Sequence, residues 1–145
     1  MNVLCPGNAT FHDDTLYSDL AEAIPASIRL IHTELDDRTR ANAAGVLGNL
    51  VKNSSLLCEK MHQAGAVSVL MNLVREYMQR EDDAQELTAA GTALFTLGNF
   101  CSYPFLKSQI LDSDVQTLLQ KAGTSSNASV LQHGQRLCRK LQDTH

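Results

Sequence analysis

Histidine, cysteine and carboxylate side chains are the residues of this chain that could do chemistry, and their spacing decides which chemistry is available. The tripeptide His12-Asp13-Asp14 suggests a metal site, but metal binding needs two or three further ligands at fixed spacing, and the sequence places none nearby. Its aspartates are better explained as an N-cap for a helix that begins at Thr15. His32, His62 and His133 stand alone on separate predicted helices. We therefore predict no catalytic, metal or cofactor site.

The four cysteines, at positions 5, 58, 101 and 138, are far apart and have no metal-ligand spacing. The last three lie within apolar patterns, where a thiol behaves as a small hydrophobe. We interpret them as reduced thiols of a cytoplasmic protein. The first residues lack the pattern of a secretion signal, and no apolar run reaches the roughly 18 residues of a membrane span. Neither secretion nor a membrane partner is expected.

The composition favours helices and argues against nucleic acid as a partner. The chain has no Trp, three Tyr and four Phe, and 43% of its residues are hydrophobic. Leu and Ala dominate that fraction, which suits helix packing. The formal net charge is −4, and no more than two basic residues are adjacent. A nucleic-acid binder needs clustered Lys and Arg to displace counterions from phosphates.

An internal repeat is the strongest signal in the sequence. The segment VLGNL at 46–50 recurs as TLGNF at 96–100, and a weaker copy, LCPGN, stands at 4–8. The segments that follow the copies also match, at 22–31 and 65–74, an offset of 43 residues. Armadillo and HEAT repeats have a period of about 40–47 residues. The wider step between the two stronger copies is explained by a polar insertion near 79–83.

Between the copies the apolar residues recur at helical spacing, and no segment alternates like a strand. We predict helices at 15–22, 24–35, 37–52, 55–63, 66–80, 84–101, 104–111, 114–121 and 128–142. The predicted fold is an all-α, right-handed armadillo- or HEAT-like solenoid of about three stacked repeats. A single domain, 1–145, would contain a partial repeat at 1–14, repeats at 15–53 and 54–102, and a polar C-terminal capping repeat at 103–145.

Two stretches carry a resemblance to known proteins. Residues 22–26 and 40–50 resemble the armadillo consensus, whose long third helix ends in Leu-x-Asn-Leu. The runs GNATFHDDTLY at 7–17 and TRANAAGVLGNLVKNS at 39–54 resemble more narrowly the C-terminal armadillo region of Fused-type serine/threonine kinases. Pro6 departs from that pattern, since proline is costly inside a helix.

The resemblance implies that this chain comes from the regulatory tail of a larger kinase-like protein. Such proteins are associated with Hedgehog signalling, cytokinesis or assembly of the central pair of motile cilia. The chain itself has no G-x-G-x-x-G loop, no H-R-D and no D-F-G, so we do not expect it to be an enzyme. The expected location is cytoplasmic, with the cilium or cytoskeleton as the family's further implication.

Armadillo proteins hold an extended partner segment in a concave groove through a ladder of asparagines, and the resemblance places this ladder at Asn8, Asn49 and Asn99. An amide can both donate to and accept from a peptide unit. The alternative is that each asparagine closes its own helix by bonding the backbone. In peptide-import receptors the position four residues earlier is Trp, but here it is Gly45 or Phe95. This departure argues against recognition of basic import signals.

Two arginines near the start of the third helix complete the predicted groove. Arg38 and Arg40 could grip an acidic partner segment, or they could pair with the adjacent Asp36 and Asp37 on the surface. The charged run at 79–86 is either a recruiting loop or a solvated helix end.

The sequence thus predicts a non-catalytic protein-binding module whose groove holds a segment of another protein. One alternative is a purely structural cap that packs on preceding repeats of the same chain. A stand-alone armadillo adaptor is another. No cofactor, nucleic acid or membrane is expected as a partner.

Overall fold

The computed structural model describes residues 14–33, 36–53, 56–80 and 89–143, and these residues form helices joined by turns and bends, without a strand. The helices are α1 Asp14–Thr33, α2 Asp37–Asn53, α3 Leu57–Gln63, α4 Ala66–Arg80, α5 Ala89–Phe100, α6 Pro104–Leu111, α7 Val115–Ala122 and α8 Ala128–Gln142. None of them combines the length and apolar character needed to cross a lipid bilayer. The predicted all-helical class is therefore confirmed for the part of the chain that is described.

The helices pack in three rows. The first row is α2, α5 and α8, in which α5 lies between the other two. A second row, α1, α4 and α7, packs against the first helix by helix, and the short helices α3 and α6 contact each other and the neighbouring α4. This serial arrangement is consistent with an α-solenoid, because each helix buries its apolar face mainly against neighbours along the row.

One continuous core runs through the rows and is deepest around α5. Ten of the twelve α5 residues are buried, and Leu94, Leu97 and Phe100 are among the largest fully buried side chains. The α4 side chains Leu70, Met71 and Val74 fill the space on the second-row side. Burying a side chain of this size contributes about 1.5–3 kcal/mol, so α4 and α5 together contribute a large share of the packing free energy.

The predicted break between helices 15–22 and 24–35 is wrong. The structure has one helix there, α1, with Pro25 inside it and exposed to solvent. Proline removes one backbone hydrogen bond. However, Ile24 and Ile31 are buried on the opposite side, and their packing keeps the helix continuous across the missing bond.

The remaining boundaries agree closely, and the turns have the predicted chemistry. The helices predicted at 66–80, 104–111 and 128–142 have those bounds. Gly65 has a φ of 75°, the left-handed conformation that favours glycine between two helices. Pro104 opens α6 at its first turn. The start of the helix predicted at 84–101 lies outside the described residues.

Candidate protein-binding site

The contact between α2 and α5 is close because a glycine stands at its centre. A Cβ built on Gly48 would lie 2.9 Å from Thr96 Oγ1 and 3.2 Å from Asn99 Nδ2. The Thr96 hydroxyl donates a buried hydrogen bond of 2.9 Å to the carbonyl of Ala44, which ties α5 to the α2 backbone. One turn earlier, Gly45 has room, since its Cβ would lie 3.7 Å from Thr92 Cγ2.

The contact between α5 and α8 is built around Arg136. Its Nη1 donates to the carbonyl of Phe95 at 3.1 Å, and its Nη2 donates to Asn99 Oδ1 at 2.9 Å. The guanidinium carbon lies 4.7 Å from the centroid of the Phe95 ring, within cation–π range. A Cβ on Gly98 would collide with Arg136 Nη1, so glycine is what admits the guanidinium to this site.

His133 completes this cluster from α8. Its ring meets the Phe95 ring edge-on at a centroid distance of 5.3 Å. The Nδ1 atom is buried and has no hydrogen-bond partner among the described residues. Burial lowers the pKa of His133 below its ordinary value, and the positive charge of Arg136 lowers it further. His133 is therefore neutral at physiological pH.

The three asparagines predicted as a ladder have different surroundings. Asn8 lies outside the described residues. Asn49 is exposed on α2. Asn99 on α5 is only 6% exposed, and its amide oxygen is taken by Arg136, while Nδ2 has no hydrogen-bond partner. The Asn99 amide thus bonds a neighbouring helix and not the backbone of its own.

The two residues at the predicted tryptophan position also differ from each other. Gly45 is half-buried and leaves a gap on the α2 side. Phe95 is half-buried too, but its ring is already covered by the Arg136 guanidinium. In an import receptor, the cation that packs on the aromatic ring at this position would come from the ligand. Here Arg136 of the same chain packs on the Phe95 ring.

The predicted arginine pair is split by the structure. Arg38 is exposed. Arg40 donates from Nε to the carbonyl of Ile31 at 3.1 Å and from Nη2 to Glu76 at 2.8 Å, and its side chain is 14% exposed. It therefore joins α2 to α1 and α4, on the side away from α5.

The adjacent aspartates have helix-capping roles, and Asp36 also interacts electrostatically with Arg38. Asp36 Oδ2 accepts hydrogen bonds from the Thr39 hydroxyl at 2.8 Å and the Thr39 N–H at 3.2 Å. These bonds lower the Asp36 pKa and cap the start of α2. Asp37 Oδ2 accepts from the N–H of Ala89, the first residue of α5.

Sequence reasoning missed the residues that join the first row. It placed Arg136 and His133 only within the polar capping repeat at 103–145. The one available signal was the repeat itself, because Gly48 and Gly98 occupy the same place in the two strong copies. Each glycine lies where the next helix of the row approaches most closely.

The described residues hold no group of three His, Cys, Asp or Glu side chains that could bind a metal ion. The candidate residues His12 and Asp13 lie outside them. Cys58, Cys101 and Cys138 are free thiols. Burial raises the pKa of Cys101 to about 11, so this thiol is almost fully protonated at neutral pH.

Comparison with known proteins gives one relationship. Over 130 residues, 85% of the chain, the sequence is 31% identical to the serine/threonine-protein kinase TIO of Arabidopsis thaliana. This supports a relation to Fused-type kinases. The matched residues make up 10% of that kinase, so the chain spans only a tenth of its relative. No family model matches the chain, and no solved structure matches it.

Proposed function

We propose that this chain is a non-catalytic protein-binding module of the armadillo type, part of the regulatory region of a Fused-like serine/threonine kinase. The observation that carries the proposal is the first row, α2, α5 and α8, whose helices lie side by side and share one partly exposed polar face. We call this surface the row face. It contains the side chains of Asn42 and Asn49 on α2, Thr92 and Phe95 on α5, and Arg136 on α8.

The armadillo arrangement is supported by the order of the helices. The units α3–α4–α5 and α6–α7–α8 each consist of a short helix, a second helix and a helix of the first row. The α1–α2 pair would be a unit in which the first two helices have fused through Pro25. We propose these units as the repeats at 15–53, 54–102 and 103–145.

The absence of kinase motifs from the sequence supports a non-catalytic role for this segment. Its relative is a kinase in name, and the tenth of that protein that matches need not carry its activity. Nucleotide-binding and autophosphorylation assays on the isolated chain should therefore show neither. For the parent protein we propose a cytoplasmic location, at the cilium where one is present, and a role in Hedgehog signalling or central-pair assembly. Imaging of the tagged full-length protein tests the proposed location.

The test of partner binding uses amide removal on two surfaces. Asn42→Ala with Asn49→Ala alters exposed positions of the row face, and Gln116→Ala with Gln120→Ala alters exposed positions of α7. Asn99 is left intact because its amide bonds Arg136. The chain and both variants, matched in thermal stability, are used to capture proteins from cytosol, and bound proteins are quantified by mass spectrometry. A partner lost with the row-face variant alone supports the proposal.

A structural cap is the second candidate function, and two side chains favour it. Leu30 on α1 and Val46 on α2, the first two helices of the rows, are 42% and 39% exposed, respectively. Packing by preceding repeats would bury them. Lysine at both positions should then abolish association with a separately expressed upstream segment of the parent protein, while the row-face variant should retain it. If cytosolic partners bind all variants equally, the cap becomes the better description.

A further inference from the structure

Basic residues are concentrated on the first row of helices. Together α2, α5 and α8 carry six of the chain's twelve Lys and Arg residues and a single acidic residue, Asp37. The chain as a whole has sixteen acidic residues and a net charge of −4. These three helices together therefore carry a net positive charge, opposite in sign to that of the whole chain.

Four basic side chains lie on or beside the C-terminal half of α8. We call Lys107, Arg136, Arg139 and Lys140 the basic patch. The last three are α8 residues, and Lys107 on α6 donates from Nζ to the carbonyl of Asp143, the residue directly after α8, at 2.6 Å. The ion pairs of the described residues, Arg40–Glu76 and Arg75–Asp114, lie elsewhere, so no described carboxylate pairs with the patch.

The helix dipole accounts for only part of this patch. Arg139 and Lys140 lie in the last turn of α8, where the helix dipole favours cations. Arg136 stands before that turn and is half-buried, with its guanidinium held by two uncharged acceptors. Burial lowers the pKa of Arg136, and no carboxylate counters that effect. A partly desolvated cation without a counter-ion is costly to the free protein.

A second observation lies beside Arg136. Asn99 Nδ2 is buried and has no hydrogen-bond partner, although its amide oxygen is bonded to Arg136. His133 Nδ1 is also buried without a partner. Leaving such groups unsatisfied destabilises the free protein. Both atoms are out of reach of a ligand, so the group of this cluster that a ligand can contact is the half-buried Arg136 guanidinium. No described carboxylate pairs with it, and the complementary ligand therefore supplies negative charge.

We propose that the row face, at the junction of α5 and α8, binds an acidic extended segment of a partner protein, whose carboxylates pair with the basic patch. This inference rests on the proposed function and specifies its ligand. A peptide fits better than nucleic acid because the net charge of −4 repels a polyphosphate beyond the patch.

The experiment measures fluorescence anisotropy with labelled peptides of equal length: alternating Glu and Ala, alternating Gln and Ala, and alternating Lys and Ala. The test variant is Arg139→Gln with Lys140→Gln, because neither side chain holds another helix. The control is Lys60→Gln with Lys121→Gln, exposed residues of α3 and α7 that give the same change in net charge. A third variant, Arg136→Gln, is used at a temperature where its unfolding curve shows that it is folded. A single-stranded DNA of similar charge competes with the peptide.

The acidic peptide should bind the chain more tightly than the other two, and more weakly as salt is raised. Affinity should fall roughly twofold to thirtyfold in the test variant, as expected for two ion pairs worth about 0.2–1 kcal/mol each, and should change little in the control. Absence of binding, equal binding of the Gln peptide, an equal loss in the control, or tighter binding of the DNA would each overturn this inference. The two proposals can fail separately. If the row-face variant loses a partner in the capture experiment but the acidic peptide binds no better than the other two peptides, the protein-binding function stands and only the acidic ligand is refuted.

Discussion

Replacing Gly48 and Gly45 by alanine should change stability in opposite directions, although the two positions are three residues apart on α2. In a helix interior, alanine is favoured over glycine by about 1 kcal/mol. At Gly45 the new methyl would make an ordinary contact, 3.7 Å from Thr92 Cγ2. Gly45→Ala should therefore stabilise the protein by about 0.5–1 kcal/mol.

At Gly48 the same methyl would lie 2.9 Å from Thr96 Oγ1 and 3.3 Å from its Cγ2. Thr96 cannot turn aside, because its χ1 is restricted and its hydroxyl bonds the Ala44 carbonyl. Overpacking of this kind costs about 1–3 kcal/mol, and losing the hydrogen bond adds about 1 kcal/mol. After the gain in helix propensity, Gly48→Ala should destabilise the protein by about 1–3 kcal/mol.

Urea unfolding followed by far-ultraviolet circular dichroism measures both variants. A double-mutant cycle with Thr96→Ala identifies the cause, since removing the threonine should relieve most of the cost of Gly48→Ala. The reasoning is refuted if Gly48→Ala proves as stable as Gly45→Ala, or if its cost is unchanged when Thr96 is absent.

Three further predictions concern side chains that the structure buries or pairs. Arg40→Met should lower the free energy of unfolding by about 1–2 kcal/mol, because it removes the hydrogen bond to the Ile31 carbonyl. Glu76→Gln changes a half-exposed carboxylate and should lower the free energy of unfolding by well under about 1 kcal/mol. Urea unfolding of the two variants compares these losses. Cys101 should react with iodoacetamide far more slowly than when unfolded, since its pKa of about 11 leaves roughly a hundredfold less thiolate than the ordinary value of 9.0. Because the pKa of His133 is lowered in the folded state, the unfolded chain binds a proton at His133 more readily than the folded chain does. The free energy of unfolding should therefore fall as the pH drops below 6.5 towards the folded-state pKa. His133→Asn should flatten this pH dependence.

Each of these has a result that would contradict it. Equal losses for Arg40→Met and Glu76→Gln would mean that the surface pair, not the carbonyl bond, matters. Mass-spectrometric detection of rapid labelling at Cys101 in the folded chain would contradict its burial. An unchanged pH profile in His133→Asn would show that another group carries the dependence.

The repeat predicted the helical class and the order of the helices because apolar periodicity is a local property of the sequence. The match between the predicted and observed bounds of α4, α6 and α8 reflects this. Pro25 misled the prediction, since proline usually marks a helix start, and only the burial of Ile24 and Ile31 against other helices shows why α1 continues.

The candidate site was harder to predict because its chemistry depends on contacts between repeats. The Gly-Asn pair was singled out for its asparagines, whereas the structure also gives the two glycines a role, at the closest approach of successive helices. Nothing within α8 alone indicates that Arg136 reaches across to Phe95 and Asn99. Likewise, the separation of Arg38 from Arg40 follows from Glu76, which is distant in sequence.

The position of α5 between α2 and α8 has a consequence for how the molecule opens. An α5 amide can exchange its hydrogen with solvent only if the buried contacts on both of its sides are broken, so exchange there should require nearly complete unfolding. By contrast, α8 packs mainly on α5 and α7 at one end of the row, and it can detach as a smaller cooperative unit. A ligand that contacts both α5 and α8 would oppose the detachment of α8. Hydrogen exchange of the α8 amides should then slow when the ligand binds, so its rate would measure how much of the protein is in the bound state.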